Sequence, residues 1–212
     1  MSRFHRTAGR SRTLRFPTIL LAVLCLCLIQ SCGGSGSGGI CRCTPTTAEF
    51  QDFRHEEKHV PLPNVAPTET TVREMLTWPP GPDPSNDSPR SGQELVLYHI
   101  ANAYLENARL INFDCDIHLE LSDVPDKTAP RVIVETPIDS EYCPNRQALR
   151  AALGQHQFQL EYIGQAAIGQ AELPQPLPVS VLGLAFRDFE HNRGSQYVDT
   201  LWELHPAEVT IQ

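Results

Sequence analysis

Residues 112–121 read NFDCDIHLEL, a stretch that alternates polar and apolar side chains almost without a break. A period of two places successive side chains on opposite faces of a β-strand. Cys115, Ile117, Leu119 and Leu121 are expected to face a core, while Asp114, Asp116, His118 and Glu120 share the other face. Working outward, residues 94–105 and the β-branched run 131–136, RVIVET, are strand-like. Residues 145–153, NRQALRAAL, have helical composition behind Pro144, a residue suited to a helix start. Residues 179–186, VSVLGLAF, form a strand in which Gly183 marks a bulge or bend. The last strand is expected over 198–211, around Pro206. The order β-β-β-α-β-β is that of an OB-like, five-stranded Greek-key barrel with one helix between strands 3 and 4. The chain is therefore expected to be mainly β over a single domain, residues 93–212.

The N-terminus reads as an address. Arg3, Arg6, Arg10, Arg12 and Arg15 precede the apolar run 19–29, ILLAVLCLCLI, with no acidic residue among them. A spanning helix needs about 20 apolar residues, so this run is a signal peptide over residues 1–31. Its exit, LIQSC at 28–32, is similar to the lipobox of bacterial lipoproteins, which makes Cys32 the expected lipidation site. The GGSGSGG that follows suits a flexible tether. An exported, membrane-anchored lipoprotein of the bacterial cell envelope is the expectation. Its partners would be the membrane, through lipidated Cys32, and an unknown envelope protein or small ligand.

Charge narrows the partners. The whole chain has 17 basic and 25 acidic residues; without the five signal arginines it keeps 12 basic against 25 acidic, a net of −13. Nucleic-acid binding rests on phosphate neutralisation by Lys and Arg, and the polar strand face lacks the aromatic platform of nucleic-acid-binding OB domains. Nucleic acid is thus disfavoured, and cations or basic partners are favoured.

Residues 32–92 are rich in Pro, Gly and Ser and read as a flexible tether with partial order; 71–78, TVREMLTW, is one helical turn or an extension resting on the domain. The exported chain keeps Cys41, Cys43, Cys115 and Cys143, an even set that allows three pairings. Cys115 and Cys143 both fall in the expected domain and are the favoured disulfide. A metal site on Cys41 and Cys43 alone is a weak signal.

Several motifs stand in one order: Asp114, Asp116 and His118 in D-x-D-x-H; Glu135 and Pro137 in E-x-P; Gly183, Phe186, Asp188 and His191 in G-x-x-F-x-D-x-x-H; Glu203, His205 and Pro206 in E-L-H-P. Over residues 93–212 the chain resembles an uncharacterised family of exported bacterial proteins carrying these motifs. The resemblance implies a shared small β-barrel and no particular activity. This chain has Cys115 where some members of that family have Gly.

Chemistry is expected where the polar rows meet. With Val132, Val134, Trp202 and Leu204 inward, Glu135, Glu203 and His205 turn outward beside Asp116 and His118. Imidazole and carboxylate are the ligands of zinc, manganese and similar ions. Asp116, His118, Glu135 and His205 are the candidate ligands of a divalent metal ion, within a binding face that includes Asp114 and Glu203. Asp188 and His191 could extend it. The competing reading is a set of cross-strand fasteners. The leading function is a non-catalytic binding module for a metal ion, small ligand or protein partner. The alternative is a metal-dependent, nuclease-like hydrolase, with Arg131 the nearest candidate to hold a phosphate. No phosphate loop, G-x-S-x-G or H-E-x-x-H motif is present. His55, Glu56, Glu57 and His59 in RHEEKH read as a solvated charge cluster.

Overall fold

The structure, a computed structural model, describes residues 39–46, 52–163, 165–169, 171–191 and 193–212. The expected signal peptide and Cys32 lie outside the described residues. Among the described residues no helix is long and apolar enough to cross a membrane.

Five strands close a barrel in the expected OB-like order. β2 (Leu97–Leu110) pairs antiparallel with β3 (Ile117–Ser122), and β3 pairs antiparallel with β4 (Arg131–Thr136). β4 runs parallel to β8 (Val198–Ile211), β8 pairs antiparallel with β7 (Glu172–Arg187), and β7 returns to β2. Both ladders of β2 shift register between Leu105 and Asn107. An extra residue there bends and twists the strand, which lets one long strand serve both sides of the closure. The expected irregularity falls where Gly183 marks it, with a shift between Gly183 and Ala185. A Cβ at 183 would sit 2.8 Å from the Cβ of Ala207, so only glycine permits that approach.

The helix α3 (Cys143–Gln155) lies between β4 and β7 in the chain, with a proline in its first turn. It buries Arg146, Leu149 and Leu153, which share one helical face. Arg146 is wholly buried and donates to the carbonyls of Ile40, Cys115 and Thr136. One guanidinium thus ties the helix, the N-terminal segment and two strand ends together. A short hairpin, β5 (Leu160–Ile163) and β6 (Ala166–Gly169), follows it.

Two expectations are corrected. The favoured Cys115–Cys143 disulfide is absent; Cys41 bonds Cys143 and Cys43 bonds Cys115. Residues two apart on an extended chain cannot bridge each other comfortably, but each can reach a different wall. The segment around residue 42 lies between the start of α3 and the β2–β3 turn, and so receives both partners. In that turn Cys115 has φ 73°, a left-handed conformation that favours glycine, and its bond to Cys43 accompanies it. Strand β3 accordingly starts at Ile117, and Asp114 lies in the turn.

The second correction concerns residues 52–92, which are not a tether. They form α1 (His55–Lys58), β1 (Thr68–Thr70), α2 (Val72–Met75) and, reaching residue 95, a 3-10 turn (Gly92–Leu95). Val72 and Met75 are fully buried in the core. Arg54 is 2% exposed, forks onto Glu94 at 2.6 and 3.2 Å, and stacks over Phe186. Arg90 donates to the carbonyls of Glu57, Ala185 and His205. The segment covers a polar barrel face, so it anchors through arginines and turns; its low aliphatic content reflects the surface it meets.

Candidate metal centre

Alternation along β3, β4 and β8 sorts side chains into two rows. Ile117, Leu119, Leu121, Val132, Val134, Trp202 and Leu204 belong to the core, as their spacing predicts. The opposite row brings His118 beside Glu135 and Ile133 beside Glu203 across the ladders. These polar residues do not form an open surface. His118 is 3% exposed, Glu120 0%, Glu135 8%, Glu203 2% and His205 0%. Asp52, Lys58 and His59 on one side, and Asp188, Arg193 and Ser195 on the other, close over them.

At the middle of this layer stand Asp116, Glu135 and His205, each offering one ligand atom within 4.8 Å of the others. Every carboxylate around His205 has one oxygen tied to a protein donor and the other turned to the ring. Asp116 Oδ1 accepts from the amide of Ile138 at 3.0 Å, and Oδ2 lies 3.1 Å from His205 Nε2. Glu135 Oε1 accepts from His118 Nδ1 at 2.7 Å, and Oε2 lies 3.0 Å from His205 Nδ1. Glu203 Oε2 accepts from Arg193 at 2.7 Å, and Oε1 lies 3.4 Å from the same Nδ1. Yet Asp116 Oδ2, Glu203 Oε1 and both ring nitrogens of His205 make no aligned hydrogen bond. Ligands about 2.0–2.1 Å from a tetrahedral zinc stand roughly 3.3 Å apart, so Asp116, Glu135 and His205, whose single ligand atoms lie within 4.8 Å of one another, would draw in around an ion on one ring nitrogen.

The electrostatics follow. Burial works against an imidazolium at His205, but Asp116, Glu135 and Glu203 outweigh it and hold its pKa well above the usual histidine value. Burial pushes Glu135 up, yet His118 and His205 bring it well below the usual carboxylate range. Asp114 has no such partner: burial, then repulsion from Asp116 and Glu135, raises it to about 8.

The expected ligands divide. Asp116, Glu135 and His205 come together; His118 does not join them and instead fixes Glu135, with its Nε2 3.7 Å from Glu120. That is the outer-layer role that orients a ligating carboxylate. Glu203 stays at the edge of the centre, while Asp114 accepts from the Asp116 amide and shapes the turn. Asp188 holds Arg193 at 2.9 Å, and His191 is stacked on Phe189 with its Nδ1 3.6 Å from Asp188. Arg131 cannot hold a phosphate: it is fully buried, bonded to Glu120 at 3.0 Å and stacked over Tyr197.

RHEEKH is not a solvated run. His55 and His59 project from one helical turn and its cap, with Asp52 between them and Lys58 buried against Asp52. The His59 and His205 rings lie 6.2 Å apart. Asp52 and Asp139, which both pair with His59, stand outside every motif in the sequence. The one available signal was the i, i+4 spacing of His55 and His59 behind Asp52. No protein-family model, curated protein or solved structure matches the chain.

Proposed function

We propose that this protein is a metal-binding module of the bacterial cell envelope, anchored through a lipidated Cys32, and that a zinc- or manganese-like ion sits among Asp116, Glu135 and His205. The observation that carries this reading is the orientation of the carboxylates. Their outer oxygens are bonded to Ile138, His118 and Arg193, while their inner oxygens converge on a ring whose nitrogens have no aligned partner. A purely structural fastener satisfies its buried polar atoms, because each unsatisfied one costs about 1–3 kcal/mol. An ion held by one ring nitrogen of His205 and one oxygen each of Asp116 and Glu135, atoms within 4.8 Å of one another, relieves that nitrogen and the carboxylate oxygens beside it. The mixed nitrogen and oxygen donors favour zinc or manganese over calcium. Burial of all three residues supports a held ion, and a binding role over the hydrolase alternative, since a catalytic ion keeps an open position for water or substrate.

The test is metal content by mass spectrometry on the exported chain, purified without chelator or polyhistidine tag. The expected result is a tightly held ion that survives dialysis and is lost in Glu135→Gln and His205→Asn while the fold persists. A wild-type chain that stays free of zinc and manganese after incubation with each, at the buried centre, overturns the reading and leaves an imidazolium–carboxylate fastener.

A further inference from the structure

A second group of side chains sits on the covering segment. His59 Nδ1 donates to Asp139 Oδ2 at 2.6 Å, which fixes the ring and leaves Nε2 as the free nitrogen. The His59 side chain is 8% exposed, and its buried Nε2 has no hydrogen-bond partner. It points to Asp52 Oδ2 at 3.7 Å, and the same oxygen lies 3.0 Å from His55 Nδ1. Asp52 is oriented in turn, because its other oxygen accepts from Lys58 at 3.3 Å. One ligand atom each from Asp52, His55 and His59 falls within 4.8 Å of the others.

Unlike the buried centre, this group opens on a cavity of about 160 Å³, lined also by Asp114, Ile138 and Asp139. Water takes roughly 30 Å³ per molecule in the liquid, so several waters fit and can complete a coordination shell. Two imidazoles and a carboxylate, with an outer carboxylate behind one imidazole, suit a transition metal over calcium or magnesium.

We propose that Asp52, His55 and His59 form a second, solvent-accessible site for a zinc-like divalent cation, separate from the buried centre. Three protein ligands and an open side make it an exchangeable site. Lys58 beside Asp52 reduces the local negative charge and keeps the affinity below that of a closed, charge-rich site. The site uses none of the buried ligands, so the two can be tested apart.

The experiment is equilibrium titration of the chelator-stripped exported chain with zinc chloride, counting bound ions in the unmodified chain, in His55→Gln/His59→Gln and in Glu135→Gln. Two ions in the unmodified chain, one in the double-histidine variant, support the proposal. A single ion that disappears in the double-histidine variant and persists in Glu135→Gln supports it and removes the buried ion. Stoichiometry unchanged by the double substitution, or no zinc bound at all, overturns it. Asp139→Asn is expected to weaken this site about 10–100-fold by freeing the ring of His59. A second measurement keeps the histidine pair intact: manganese added to Glu135→Gln, in which the buried centre is disabled, should broaden the ring resonances of His55 and His59 before those of His99, and equal effects on all three overturn the proposal.

Discussion

The two faces of the same three strands are both buried, but by different means. The inner row, Ile117, Leu119, Leu121, Val132, Val134 and Leu204, packs against the barrel's own core. The outer row, His118, Glu120, Glu135, Glu203 and His205, is buried by the segment around residues 52–59, far earlier in the chain, and by the loop after β7. The inner face holds by apolar contact, which is tolerant of direction. The outer face holds by directional charge pairs, which are stabilising only when every partner is present. Alternation in a sequence therefore says which residues share a face, and says nothing about whether water reaches it.

The sharpest way to break this comparison is to remove one charge from the outer layer. Glu120 accepts from Arg131 at 3.0 Å and from Ser195 at 2.6 and 2.8 Å, and its side chain is fully buried. Glu120→Leu leaves the fully buried guanidinium of Arg131 with one exposed carboxylate partner, Glu172. The expected loss is about 3–5 kcal/mol in chemical denaturation. A loss under about 1 kcal/mol would mean that the outer layer is hydrated like a surface. On the inner face, Leu119→Ala is expected to cost about 2–5 kcal/mol by leaving a cavity, with no change in the pH profile.

That profile separates the faces further. Burial raises the Glu120 pKa, but the His118 imidazole 3.7 Å away and hydrogen bonds from Ser195 and Arg131 outweigh it and bring it to about 2, below its ordinary 4.5. A depressed carboxylate contributes stability above its unfolded pKa and loses it as pH falls through the folded one. Wild-type stability should therefore decline between about pH 4.5 and 2, and Glu120→Gln should flatten that decline. An unaltered acid limb in the variant would show that other carboxylates carry it.

Legibility followed the same divide. The five barrel strands, the helix behind Pro144 and the bend at Gly183 were readable because each is a local pattern. β7 begins at Glu172, earlier than residues 179–186 suggest, because Pro174, Pro176 and Pro178 lie where the strand pairs with β2 and has not yet met β8. The hairpin at Ala166–Gly169 is largely exposed and carries no alternation to read. The inward or outward facing of Glu135, Glu203 and His205 was legible from their strands. The cover was not, since Arg54, Lys58 and His59 resemble solvated charges until the acidic face they meet is known. The cysteine pairing depended on the same hidden packing, which brings residues 41 and 43 to two different walls.

The smallest expected effect tests whether the covering segment folds as one unit with the barrel. α2 begins with a reciprocal cap: the Glu74 amide donates to Thr71 Oγ1 at 3.1 Å, and the Thr71 amide donates to Glu74 Oε2 at 3.1 Å. Both residues are exposed, yet Val72 and Met75 beside them are fully buried in the common core. Thr71→Ala removes the cap and nothing else, at a cost of about 1 kcal/mol. If segment and barrel unfold together, the whole transition shifts by that amount and stays single. If the segment is a separable lid, amide exchange around Val72 and Met75 quickens while the melting of β3 and β4 does not move. The first outcome is expected, because Val72 and Met75 supply part of the barrel's own core and cannot leave without opening it.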